Sequence, residues 1–330
     1  MPTMNRTTLL ALLAVVPAAA LGAAAPAGAE WTGPCTSSAT SPTCHFWKGK
    51  LTFVDDGDTV DVRLPTSTGK PKTVRVRITG IQAMEQRVYT RDPRKRRGEC
   101  HSLQATARLE QLVKEGRGTV RLGAQKPASS SGGRLRRSVA VKLHGKWSDL
   151  GSVLLAEGHV LWLPNPSEYA WNATYNELSQ RAAASGANLW NPRTCGPGPS
   201  DDAALRLTVF PDAKGNDFQN VNGERVTIEN LGAAPVPLTG WWLRDSSLRR
   251  LRLPAWATIP AGGEIAVRVG KGEDTEDTIY WGLEEPMFEN ATKGRGMGDG
   301  AYLFDPQGDL RASMMYPCFV DCGRRSDDTR

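Results

Sequence analysis

The sequence predicts two folded units in series, an α+β barrel followed by an all-β sandwich. Three observations carry this expectation. From Phe46 to about Ser185, strand-like segments come first, then a helix, more strands and two further helices. Cys195-Gly196-Pro197-Gly198-Pro199 then reads as a linker by composition. From 205 to 318, short alternating segments separated by turns follow, with no helical periodicity.

In order, the chain opens with Arg6, an apolar run from Leu9 to Leu21 and a small-residue cleavage pattern, Ala27-Gly28-Ala29, before Glu30. This has the form of a secretory signal peptide over residues 1–29. The strictly apolar part is short for a bilayer span of about 20 residues, and no later stretch is longer. The mature chain is expected to be exported, with no membrane span. Its six cysteines, an even number, suit disulfides in an oxidising compartment. Cys35–Cys44 and Cys318–Cys322 would close local loops, leaving Cys100 for Cys195. No pair of closely spaced cysteine doublets supports a zinc site.

Residues 30–45, with Pro34 and Pro42, are expected as an irregular lead-in to a barrel unit over 46–192. Strands are predicted near 46–54, 58–64 and 72–80. Val74, Val76 and Ile78 alternate with Arg75 and Arg77, the period of a half-buried strand. The loop Arg87–Arg97 carries six basic residues, either solvated or gripping a phosphate backbone. Ser102 caps a helix to Glu115 whose inner face is Ala105, Leu109, Leu112 and Val113. Strands follow at Thr119–Gly123 and Arg134–Val141, around a Ser/Gly hairpin tip. Asp149 caps a short helix, and Glu168–Ser185 is a helix with Trp171, Tyr175, Leu178 and Ala182 on one stripe. This order fits a five-stranded Greek-key barrel of the oligonucleotide/oligosaccharide-binding type (OB-fold) with about three helices. The linker is set at 193–204, the sandwich of about seven strands at 205–318 and a tail at 319–330. The two units are expected to fold separately.

The net charge of +6 favours polyanionic partners without naming one. Chemistry concentrates in Val54-Asp55-Asp56-Gly57-Asp58-Thr59-Val60, followed by Arg77 and Glu85. Carboxylates can hold a hard cation and an arginine a phosphate oxygen. The acidic turn, Arg77, Glu85, Gly133-Arg134-Leu135 and Leu189-Trp190, in this order, resemble the staphylococcal (thermonuclease-like) nuclease family over roughly 46–192. The resemblance implies cleavage of phosphodiester bonds in DNA or RNA with Ca²⁺. It implies Asp58, Gln82 and the Ala83 carbonyl as metal ligands, Glu85 as base, and Arg77 and Arg134 as phosphate ligands, with Arg136 a rival for Arg134. Gln82 departs from the family, which has a carboxylate there. The serines ahead of Gly132 depart as well. A protein that binds nucleic acid without cutting it is the alternative.

In the second unit, Val226-Thr227-Ile228-Glu229-Asn230, Leu238-Thr239-Gly240-Trp241-Trp242-Leu243-Arg244-Asp245 and Ile259-Pro260-Ala261-Gly262 resemble lamin-tail domains. That resemblance implies an immunoglobulin-like sandwich and a docking role toward substrate, envelope or a protein. Trp241 or Trp242 is expected as its buried ring.

Overall fold

The structure, a computed structural model, describes residues 31–199, 201–292 and 294–322. The leader expected at 1–29 and the last residues of the tail lie outside the described residues. The first unit is a closed barrel of five strands. These are β2 (Thr43–Val54), β3 (Thr59–Leu64), β4 (Lys72–Ile78), β5 (Thr119–Ala124) and β6 (Arg134–Leu143). They pair in the order β2–β3–β4–β6–β5 and back to β2. Closure leaves these strands no unpaired edge within the barrel. All pairs are antiparallel except β4 with β6.

Alternation in the sequence becomes the barrel interior: Val60, Val62, Val76, Val120, Leu122, Val139 and Val141 are fully buried. The lead-in expected to be irregular instead contributes β1 (Trp31–Pro34), which pairs with β2 from Trp31↔Phe46 to Pro34↔Thr43. The disulfide Cys35–Cys44 closes the turn between them. Strand β7 (Lys146–Asp149) folds back as a hairpin and pairs antiparallel with the end of β6.

Three helices buttress the barrel: α1 (Ser102–Glu115), α2 (Leu150–Ala156) and α3 (Asn172–Ser185). Ser102 is the first helical residue of α1, not its cap. Its hydroxyl donates to the Glu99 carbonyl, and His101, in the left-handed region at φ 69°, occupies the cap position. Asp149 does cap α2, accepting from the Ser152 amide at 2.7 Å. Helix α3 starts at Asn172 rather than Glu168, after a 3₁₀ turn over Tyr169–Trp171. The Glu168 carboxylate is used instead to accept from the Gln125 and Lys126 amides.

The second unit is an immunoglobulin-like sandwich of two four-stranded sheets. One contains β8 (Leu205–Phe210), β9 (Arg225–Asn230), β12 (Glu264–Arg268) and β13 (Thr278–Tyr280). The other contains β10 (Trp242–Asp245), β11 (Arg250–Arg252), β14 (Asp299–Phe304) and β15 (Leu310–Tyr316). Trp241 is the buried ring of its core, alongside Ile228, Leu243 and Ile265. Trp242 points the other way and stacks on Phe304, ring centroids 4.0 Å apart.

The two units are packed together. Tyr302, Phe304, Leu310 and Met315 of the sandwich form one buried apolar cluster with Met84, Leu161, Ala182, Leu189 and Trp190 of the barrel. The Gln180 side chain donates to the Pro317 carbonyl at 2.8 Å, and the Cys195 amide donates to Asp309 at 2.8 Å. The disulfide Cys100–Cys195 ties the start of α1 to the linker. Separate folding was expected from the linker composition, but the burial pattern argues for coupled units. Tyr302→Ala is therefore expected to lower the stability of the whole chain in one cooperative transition, by about 3–5 kcal/mol for a fully buried ring. Calorimetry tests this; two resolved transitions, with only one displaced, would contradict it.

Candidate active site

The acidic turn, the end of β4 and the segment 81–85 meet at one end of the barrel. Gly57 makes the approach possible: a Cβ there would lie 2.8 Å from the Ala83 Cβ and 2.9 Å from that of Ala105. The turn is also braced internally, since the Asp58 amide donates to Asp56 Oδ1 at 3.0 Å. At the other end of the segment, Met84 is buried in the apolar cluster shared with the sandwich. Glu85 is thus held between two packed neighbours on one side and an open cleft on the other.

Arg77, at 8 % exposure, is the floor of that cleft. Its Nη1 donates to Asp58 Oδ1 and its Nη2 to Gln82 Oε1 and, at 3.3 Å, to the Ile81 carbonyl. Burial lowers the guanidinium pKa to about 10, against the opposing charge of Asp56, and leaves it cationic at neutral pH. Asp58 Oδ1 also accepts from the Thr59 hydroxyl at 3.0 Å, and its Oδ2 accepts from the Ala83 amide at 2.7 Å. Gln82 Nε2 donates to Glu85 Oε1 at 2.9 Å and to the Ala83 carbonyl at 3.2 Å. Asp58, Arg77, Gln82 and Glu85 thus form one continuous hydrogen-bonded chain.

Glu85 is half-buried, and its amide donates to Glu99 Oε2 at 3.2 Å. Burial raises its carboxyl pKa, the nearby charge of Asp56 adds to this, and Arg77 opposes it. Arg134 reaches the same cleft from β6, with Nη1 donating to the Thr59 hydroxyl at 3.3 Å. Arg136 lies opposite Arg77 in the parallel register and also lines the cleft. Arg137, one residue on, faces inward, donating to the Pro127 and Ser129 carbonyls with its guanidinium 4.6 Å from the Trp47 ring. The cleft encloses about 440 Å³, the size of a small-molecule site.

Asp56, Tyr89, Ser247 and Leu248 are among the cleft residues to which the sequence assigned no role. Asp56 belongs to the acidic turn, where Asp58 drew the assignment. Tyr89 sits in the basic loop, only four residues beyond Glu85, and its hydroxyl faces Glu85 Oε2 at 3.5 Å. Burial raises its pKa to about 12, so it stays protonated. Of the six basic residues of this loop only Arg96 is buried, against Glu110 and the Thr90 carbonyl; Arg91 lies over Phe53, and it and the other four are exposed. Ser247 and Leu248 come from the sandwich, and no local signal could have brought them to this cleft.

The expected metal ligands are bonded to one another and to Arg77. Asp58 is the one carboxylate among Asp58, Gln82 and Ala83, both its oxygens are engaged, and Arg77 neutralises it. The Ala83 carbonyl accepts from Gln82, whose own oxygen accepts from Arg77. Among the described residues no group of three or more His, Cys, Asp or Glu side chains is gathered to hold a metal ion. Calcium affinity follows ligand charge and number, and this donor set does not fit it.

Residues 199–317 match the family model of the Lamin Tail Domain. No curated protein matches the chain. Among solved structures, the extended Tudor domain of Drosophila melanogaster Tudor-SN (p100) is similar over 52% of this chain and 79% of its own, at 14% identity and a TM-score of 0.25. A score that low carries no conclusion about fold or function.

Proposed function

We propose that this protein is an exported nuclease that binds a phosphodiester of DNA or RNA in the cleft and hydrolyses it. The observation that carries the reading is the convergence of Arg77, Arg134 and Glu85, from three separate segments, on one cleft. Arg134 can give a phosphoryl group donor N–H bonds, and the buried charge of Arg77, whose terminal nitrogens are engaged with Asp58 and Gln82, offsets the charge that develops. Glu85, as a carboxylate, takes the proton of an attacking water. The water oxygen bonds to phosphorus, the ester P–O bond breaks, and the departing oxygen takes a proton from solvent. Arg136 extends the cationic wall toward the next phosphate. The donor set does not fit calcium, so no step is assigned to a metal. Export is supported by the leader pattern at 1–29 and by three disulfides. No helix among the described residues is long and apolar enough to cross a membrane.

A second reading, binding without hydrolysis, is favoured by Gln82, whose amide occupies both Arg77 and one oxygen of Glu85. Incubation with a labelled single-stranded oligonucleotide, with calcium or with chelator, separates the two. Cleavage that persists in chelator is expected. Salt-sensitive binding without cleavage would establish the second reading, and absence of binding would remove both. Arg134→Ala is expected to weaken binding about tenfold. It should also flatten the slope of log affinity against log salt by about 0.7, one phosphate contact on a single strand. An unchanged slope would place Arg134 outside the phosphate path.

A further inference from the structure

The cleft has two chemically different sides. Its floor is charged, with Arg77, Arg134 and Glu85, whereas its rim includes Leu163, Pro164, Tyr89 and, from the sandwich, Leu248. Leu248 stands at the tip of the hairpin joining β10 to β11. That tip is built rather than loose. The buried Asp245 carboxylate accepts from the Ser247 amide at 2.9 Å, the Ser247 hydroxyl at 2.6 Å and the Arg249 amide at 2.8 Å. The backbone of Leu248 is held at φ 87°, a region a leucine rarely adopts and that persists only where its surroundings impose it. The side chain nevertheless remains 38 % exposed, at the cleft.

The base of the same hairpin is pinned to the barrel. Arg250 donates to both oxygens of Glu99, at 2.7 and 3.1 Å, and its guanidinium lies 3.8 Å above the Trp242 ring. Glu99 in turn accepts from the Glu85 amide. A continuous bonded path therefore sets the distance from Leu248 to the candidate base.

Resting on the nuclease reading above, we propose that the sandwich completes the substrate site: Leu248 packs against the unpaired nucleobase beside the phosphate held by Arg77 and Arg134. A phosphate seated on the buried floor brings its own nucleoside to the rim. There an aliphatic wedge and an aromatic ring offer the flat, sequence-tolerant contact that bases make with apolar side chains. The sandwich then acts as a specificity element of the cleft and not only as a tether.

The test uses the full chain carrying Glu85→Gln, so that the strand stays intact. Binding is measured to a short single-stranded oligodeoxynucleotide and to its abasic counterpart, which has the same phosphates and no bases. Leu248→Gly suits the positive φ, and an unchanged melting temperature verifies its fold. With Leu248 present, the base-bearing strand is expected to bind about tenfold tighter than the abasic one. With Leu248→Gly that preference should fall to within about threefold, with abasic affinity unchanged. A preference that survives Leu248→Gly, or an equal loss on both probes, overturns the proposal and leaves the nuclease reading standing. Absence of binding to either probe, with or without the Glu85 substitution, overturns both.

Discussion

Replacing Gln82 with aspartate is expected to create calcium binding at a site whose present donor set does not fit the ion. In the wild type the set Asp58, Gln82 and Ala83 contributes a single negative charge, and Arg77 is bonded to it. Aspartate adds a second charged oxygen, one methylene shorter in reach. It also removes the amide that occupies the Ala83 carbonyl and Glu85. Two carboxylates and a freed carbonyl are expected to make a weak extracellular-type site, with Kd about 10⁻⁴ to 10⁻³ M. Calorimetry with calcium measures it directly, and Asp58→Asn in the same chain should abolish the gain. Cleavage in calcium should rise in parallel, because a bound metal polarises the phosphoryl oxygen. If Gln82→Asp binds calcium no better than the wild type, the segment 82–85 does not form a metal shell at all.

Glu85→Gln is expected to lower hydrolysis by about 10² to 10⁴-fold, the usual contribution of a positioned general base. Affinity for a single strand should stay equal or rise slightly, since a negative charge leaves the neighbourhood of the phosphate. The sign of the pH dependence follows from the site. A general base works when deprotonated, and burial together with the charge of Asp56 raises the Glu85 pKa. The acid limb of the rate should therefore lie above the ordinary glutamate range. Asp56→Asn removes one of those two causes and should move the limb to lower pH. A limb unmoved by Asp56→Asn, or cleavage undiminished in Glu85→Gln, would assign the proton transfer to another group.

Much of the architecture was legible because it rests on local periodicity. Alternation in Arg225–Asn230 marks a strand whose Val226, Ile228 and Asn230 are buried, and in Val74–Ile78 it puts Val76 and Ile78 inside, although Arg77 is buried there as well. The acidic turn, Arg77, Glu85 and Arg134 were legible as well; Arg77, Glu85 and Arg134 line one cleft, to which the turn contributes Asp56, while Asp58 is buried behind it against Arg77. What escaped was less regular. The lead-in strand Trp31–Pro34 is too short to show a period, and it forms because the start of β2, at residues 43–46, runs past its pairing with β3 and leaves an edge outside the barrel. The start of α3 shifted because the Glu168 carboxylate finds two amides on another segment, a gain invisible to helix propensity.

By itself, the sequence determined the two fold types, their order and the inventory of charged groups available for chemistry. Periodicity, turn composition and spacing act within a few residues and survive without a partner. Tertiary structure alone decided how those groups are spent. Only in the folded chain does Gln82 bridge Arg77 and Glu85, making the expected metal ligands donors and acceptors to one another. Only there does Met84 anchor the Glu85 segment beneath Tyr302 and Phe304, and only there does a hairpin more than 160 residues downstream place Leu248 at the cleft. Such contacts are set by which buried surfaces fit together and which buried polar groups find partners, quantities that belong to the packed chain rather than to any stretch of it.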